Sequence, residues 1–181
     1  LEPVPFVLQR INECFSYDDY FYSSFSFVSL PFLTQPILYP NAVFLPPSIN
    51  CPLGNLNATY DSVVHVFEAV LGLYIYYLFP VGDPRDTWLQ KGLVSYFAEF
   101  FANEKFSKQA NSFRLNQRWN DLNFLMTEDI FPSIVLNKID PATGEPFQDE
   151  FLRVKAKLLV NMISSSMQNR EGQLILLMRP Y

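Results

Sequence analysis

The side chains able to do acid–base, nucleophilic or metal chemistry are few in this sequence, and their spacing suits that chemistry poorly. Histidine occurs once, at His65, and cysteine twice, at Cys14 and Cys51. One imidazole excludes histidine-rich zinc sites, zinc fingers and paired-histidine machinery built from this chain alone. It also leaves an unrelated hydrolase without a nucleophile–base pair. Asp18-Asp19 and Asp149-Glu150 are carboxylate pairs in name only, because adjacent residues on a helix point in different directions. Arg153, Lys155 and Lys157 form a short basic cluster that reads as a solvated helix face rather than a nucleic-acid site. His65 reads as a satisfied core or rim histidine. Glu68 stands inside an apolar run and needs a partner if it is buried. Two cysteines make no disulfide framework; a Cys14–Cys51 bridge and two buried thiols both fit the count, and a reducing compartment favours thiols.

The elements that must position these residues can be read from composition and period. The chain has 181 residues, enough for one domain or a large piece of a bigger one. It opens on Leu1 and stops at Arg179-Pro180-Tyr181 after an apolar run, so a fragment is expected. Charged residues are 17%, below the usual quarter or so, while aromatics reach 17%. Much of the surface is therefore expected to lie against the rest of a longer chain or a partner. The net charge of -5 is uneven: residues 1–90 carry Arg10 and Arg85 against eight acids, and the remainder is nearly balanced. Neither half is a basic nucleic-acid surface by composition.

Residues 6–15 have the apolar spacing of a short amphipathic helix. Phe25 to Leu30 alternates as a strand, residues 31–40 read as loop because of Pro31, Pro36 and Pro40, and Ala42 to Leu45 is a second strand. Val63 to Phe79 is long and apolar, but His65 and Glu68 inside it favour a buried core helix, N-capped by Asp61 or Thr59, over a membrane span. The N-terminus lacks the pattern of a signal peptide. Asn57-Ala58-Thr59 fits the glycosylation triplet, which carries little weight without a secretory signal.

A further helix is expected from Thr87 to about Phe106. Its apolar residues Trp88, Leu89, Leu93, Val94, Phe97, Phe100 and Phe101 recur at three and four, and Lys91, Ser95, Glu99 and Asn103 form a polar edge. Helix is also expected over 108–126, over about Asp149 to Met167 with Phe151, Leu152, Leu158, Leu159, Met162 and Ile163 inward, and from Glu171. The fold class is α+β, predominantly helical: a mixed part over 1–60 and a helical part over 61–181.

The segment Asp86-Thr87-Trp88-Leu89-Gln90-Lys91-Gly92-Leu93-Val94-Ser95-Tyr96, following a long buried helix and a proline-punctuated crossover, resembles the second metal-site helix of the gluzincin zinc aminopeptidases. Phe25 to Asn50 is similar to that family's strand, substrate loop and edge strand, and Val154 to Ile163 to its Y-x-K-G helix. The resemblance implies one zincin-like aminopeptidase domain, of which 1–181 is part. The family's chemistry needs two imidazoles one turn apart, a general-base Glu and a third ligand. Here the corresponding positions hold Glu68, Ala69, Gly72 and Lys91, the oxyanion position holds Arg153, and the loop Gln35 to Pro40 carries no amine-binding acid.

The resemblance therefore implies a pseudoenzyme: no catalytic residue, no cofactor, no metal and no small-molecule substrate. A Glu68–Lys91 ion pair is expected to fill the vacated metal site. The local patterns Leu89-Gln90-Lys91-Gly92 and Lys155-Ala156 look like those of a non-catalytic subfamily, the aminopeptidase-like subunits of the general transcription factor TFIID. That likeness implies a nuclear scaffold whose partners are other TFIID subunits, with core promoter DNA reached through the whole complex and no membrane. The alternative is an inactive aminopeptidase homologue serving as a binding module outside transcription.

Overall fold

A computed structural model describes residues 3–15, 26–33, 36–39, 42–49, 56–83, 86–106, 119–120 and 150–166, with backbone alone at 48, 56–58 and 150–153. The expected helices over 108–126 and from Glu171, the loop 140–146, and Cys51 lie outside the described residues, apart from a helical pair at 119–120. Helix α1 spans Pro3–Phe15. Strands β1 (Ser26–Ser29), β2 (Ile37–Tyr39) and β3 (Ala42–Leu45) follow. A 3-10 turn, Pro47–Ile49, leads to α2 (Leu56–Leu78), α3 (Thr87–Phe106) and α4 (Glu150–Ser166). The protein is mostly helical with one small mixed sheet.

Helix α1 opens on Pro3, where a missing N–H costs nothing. Its buried stripe, Val7, Ile11 and Phe15, repeats every four residues. Phe15 meets Phe97 of α3 edge-on with ring centroids 5.5 Å apart, and Phe6 stacks on Phe67 of α2 at 5.9 Å. Helix α2 is buried on most sides, with Val66, Phe67, Val70, Leu71 and Ile75 almost fully enclosed. Each such side chain contributes about 1.5–3 kcal/mol by burial, far more than the helix propensity that its β-branched residues forgo. Among the described residues it is one helix long and apolar enough to cross a membrane, and 61% of that window is buried inside the fold.

The sheet corrects two expectations. Its order is β1-β3-β2, with β1 parallel and β2 antiparallel to β3. Ile37–Tyr39 is therefore a strand, not loop. Pro36 precedes it at the start of an outer strand, where a missing backbone donor is tolerated. Ala42–Leu45 is the central strand of the described sheet rather than an edge strand, and its Val43 and Leu45 are buried accordingly.

Helix boundaries agree best where both flanks carry signals. Thr87–Phe106 matches its expected span, opened by a turn in which the Asp86 amide donates to Asp83 O at 2.9 Å. Helix α2 starts earlier than expected, at Leu56, so Thr59 and Asp61 are interior residues and not N-caps, and Asn57 lies in its first turn. Two residues assigned inward, Met162 and Ile163, are exposed, as is Leu89 of the apolar repeat of α3. Their apolar character fits the helical period, but no described element covers that side of α3 or of the α4 C-terminal half.

Candidate functional site

The polar residues of α3 recur at steps of four: Lys91, Ser95, Glu99 and Asn103. That step keeps them on one stripe of the helix. The sequence reads this stripe as a polar edge, and the structure shows most of it to be buried. Ser95 is 6%, Glu99 7% and Asn103 7% exposed. Packing α2 on one side and α4 on the other converts the edge into a buried polar seam, which must then be satisfied internally.

On the α2 side the partners are neutral or singly charged. Tyr60 donates its hydroxyl hydrogen to Asn103 Oδ1 at 2.9 Å, and Ser95 donates to Glu68 Oε1 at 2.7 Å. Moving eight residues forward along α2, from Tyr60 to Glu68, moves the contact eight residues back along α3, from Asn103 to Ser95. The two helices thus run antiparallel between these contacts. Of the positions that the resemblance assigned to metal ligands, Glu68 lies on the α2–α3 contact through Ser95, whereas Gly72 faces Leu38 of β2.

Both places are closed. Ala69 is buried, and a Cβ added to Gly72 would lie 2.6 Å from Leu38 Cδ1 of β2. Glu68 and Lys91 are both half-buried, and the Glu68 carboxylate takes the Ser95 hydrogen bond one turn from Lys91. His65, one turn before Ala69, is half-buried and turned back on its own helix, where Nδ1 donates to Asp61 O at 2.7 Å. This fixes the Nδ1-protonated tautomer in the neutral ring. Arg153 lies in the first turn of α4, and its side chain is outside the described residues. Among the described residues no group of three His, Cys, Asp or Glu is placed to hold a metal ion.

On the α4 side the seam carries charge. Lys157 forms an ion pair with Glu99, and both are almost fully enclosed. The reading of Lys157 as part of a solvated basic face is therefore wrong. Burial pushes its amine down to about 8, while the charge of Glu68 pushes the other way. Lys155, two residues earlier and half-exposed, is lowered by desolvation. Helices α3 and α4 come very close at Gly92, where an added Cβ would stand 3.0 Å from Ala156 O and 3.1 Å from Val160 Cγ2. The Tyr96 and Ser164 hydroxyls bond at 2.8 Å nearby.

Beside the ion pair is a cavity of about 60 Å³. Buried Glu99, Asn103, Lys157 and Leu158 form its floor, and half-exposed Tyr96, Phe100 and Asn161 its rim. Beyond Glu99, the Lys157 Nζ has no hydrogen-bond partner among the described residues.

Sequence reasoning missed this second site, although a signal for it exists. Lys157 stands three residues after Val154 and three before Val160, so helical period places it on the apolar face of α4. A lysine there calls for a buried carboxylate on the facing helix.

The architecture is thus α+β, mostly helical, with a small mixed sheet at one end and a polar seam through the helix packing. No family model matches the chain, and neither a curated protein nor a solved structure matches it.

Proposed function

We propose that this chain is part of a non-catalytic, zincin-like aminopeptidase domain that acts as a structural scaffold, of the kind found in subunit 2 of TFIID. The observation that carries the non-catalytic half is the closure at Gly72. A second imidazole at that position would require the Leu38 side chain to rotate away, since an added Cβ lies 2.6 Å from its Cδ1. Glu68 is meanwhile engaged by Ser95. Side chains that would open a metal site in an enzyme instead tie α2 to α3, as befits a module whose product is shape.

The assignment to transcription rests on the resemblance of Leu89 to Gly92 and Lys155-Ala156 to the TFIID-type subfamily. In that role the protein resides in the nucleus, contacts other TFIID subunits, and meets core promoter DNA through the assembled complex. Purification of the tagged full-length protein from nuclei tests it, with the TATA-binding protein and its associated subunits expected to co-purify in stoichiometric amounts. A glycan on Asn57, or a pure preparation free of those subunits, overturns the transcription role in favour of a binding module elsewhere. Zinc analysis tests the other half separately: one tightly held zinc per chain, lost on Glu68→Ala, overturns the non-catalytic reading.

A further inference from the structure

We propose that the Glu99–Lys157 pocket captures small neutral aldehydes covalently, with Lys157 as the amine that becomes an imine and Glu99 as the carboxylate that moves the proton. The proposal is independent of the scaffold role. It starts from three features in one place: a primary amine, a carboxylate in contact with it, and empty volume beside both.

Charge selects against an anionic ligand. Glu99 on α3 touches Lys157, and Glu68 on α2 acts on it through space, so the cluster holds two carboxylates to one ammonium. Size selects a compact molecule. A cavity of about 60 Å³ accommodates a few non-hydrogen atoms, given that one water needs roughly 10–15 Å³ on this measure. Hydrogen bonding selects a carbonyl oxygen. Among the described residues Lys157 Nζ lacks an acceptor beyond Glu99, and Asn103, whose Oδ1 is engaged by Tyr60, keeps its amide N–H donors. Apolar contact comes from Phe100 and Leu158. Burial also brings the amine toward its nucleophilic, uncharged form near neutral pH, which is how lysines are activated for imine chemistry.

The step balances within the pocket. Glu99 takes a proton from the Lys157 ammonium. The Nζ lone pair attacks the carbonyl carbon, forming the C–N bond as the C=O π pair moves to oxygen. The excess proton passes from nitrogen to that oxygen, giving a carbinolamine. Protonated Glu99 then returns its proton to the hydroxyl, which leaves as water, and the nitrogen lone pair forms the C=N bond. One aldehyde enters, one water departs, the iminium keeps the positive charge, and nothing is oxidised or reduced.

Reductive trapping tests this. The folded protein is incubated with acetaldehyde and sodium cyanoborohydride, and ethylation is timed at each lysine by peptide mass spectrometry. Lys155, half-exposed on the same helix, is the internal reference. We expect Lys157 to react at least about tenfold faster than Lys155 at pH 7.5, with a rate that levels off above about pH 8, as an activated amine does. Asn161→Phe, at the rim, should slow Lys157 and leave Lys155 unchanged. Should that variant fail to fold, the wild-type protein still decides: benzaldehyde, too large for the cavity, should label Lys157 no faster than Lys155. Modification of Lys157 only after denaturation, equal rates at the two lysines, or indifference to aldehyde size overturns the proposal.

Discussion

Helix α3 makes two contacts of opposite chemistry. Toward α2 its seam is held by hydroxyl hydrogen bonds, Ser95 to Glu68 and Tyr60 to Asn103, around a glycine tucked under Leu38. Toward α4 it is held by an enclosed ion pair, Glu99 to Lys157, beside a cavity and a glycine pressed against a backbone carbonyl. The first contact carries the residues that resemble a metal site, but it is closed. At the second, neither Glu99 nor Lys157 was assigned to that site, yet the contact holds the buried charge and the open space. The difference teaches that spacing along helices can point to one contact, whereas burial of charge beside open volume singles out another.

The most severe way to break the comparison is to remove the carboxylate of the second contact. Glu99→Ala leaves an ammonium enclosed without its contacting charge and should destabilise by about 3–5 kcal/mol in urea denaturation. The double variant Glu99→Leu/Lys157→Met should recover most of that loss, since a packed apolar pair can replace a buried ion pair. A loss under about 1 kcal/mol in the single variant would make the pair no better than a surface one.

A pH series sharpens the same point. Lys157 titrates near 8 in the fold and near 10.5 when unfolded. Between those values the unfolded chain binds the extra proton, so this group makes stability rise with pH across that window; below it the full cost of burying the ammonium is present. Urea midpoints should therefore climb from pH 8 to pH 10 relative to those of Lys157→Met. Parallel curves for the two proteins would assign the slope to other groups.

The two glycines should also separate the contacts. At Gly92 the added Cβ meets the Ala156 carbonyl, which is backbone and cannot swing aside, so Gly92→Ala should cost roughly 1–3 kcal/mol. At Gly72 it meets the far end of the Leu38 side chain, which can rotate, and Ala is the better helix former, so Gly72→Ala should cost less. Equal thermal shifts would mean that both interfaces yield alike. Smaller again, Tyr60→Phe removes one buried hydrogen bond while leaving Asn103 Oδ1 unmatched, for about 1 kcal/mol. Least of all, Arg10→Met breaks the partly exposed pair with Glu104 and should stay within about 1 kcal/mol.

Much of the local architecture was legible. The span of α3 follows from Thr87 after a proline-marked crossover, and β3 from a short apolar run closed by Pro46-Pro47. The strand Ile37–Tyr39 was not legible, because three residues between prolines carry no period of their own; pairing with β3 alone makes them a strand. Of the candidate site, the need of Glu68 for a partner followed from its place inside an apolar helix. The pairing of Glu68 with Ser95 did not, because a four-residue step offers Lys91 and Ser95 equally to the same carboxylate.

By itself, the sequence determined the helical spans, the apolar stripes and the four-residue run of polar side chains, since each depends on neighbours a turn or two away. It also determined that one imidazole serves the whole chain. Only the tertiary structure decided that Ser95, Glu99 and Asn103 face another helix and not water. A polar stripe has the same pattern in either setting, and whether it is a solvated edge or a buried seam depends on how many helices surround it. Lys157 shows the consequence: α4 delivers its amine to Glu99 across a contact spanning 58 positions of the chain, a distance over which no local period carries information.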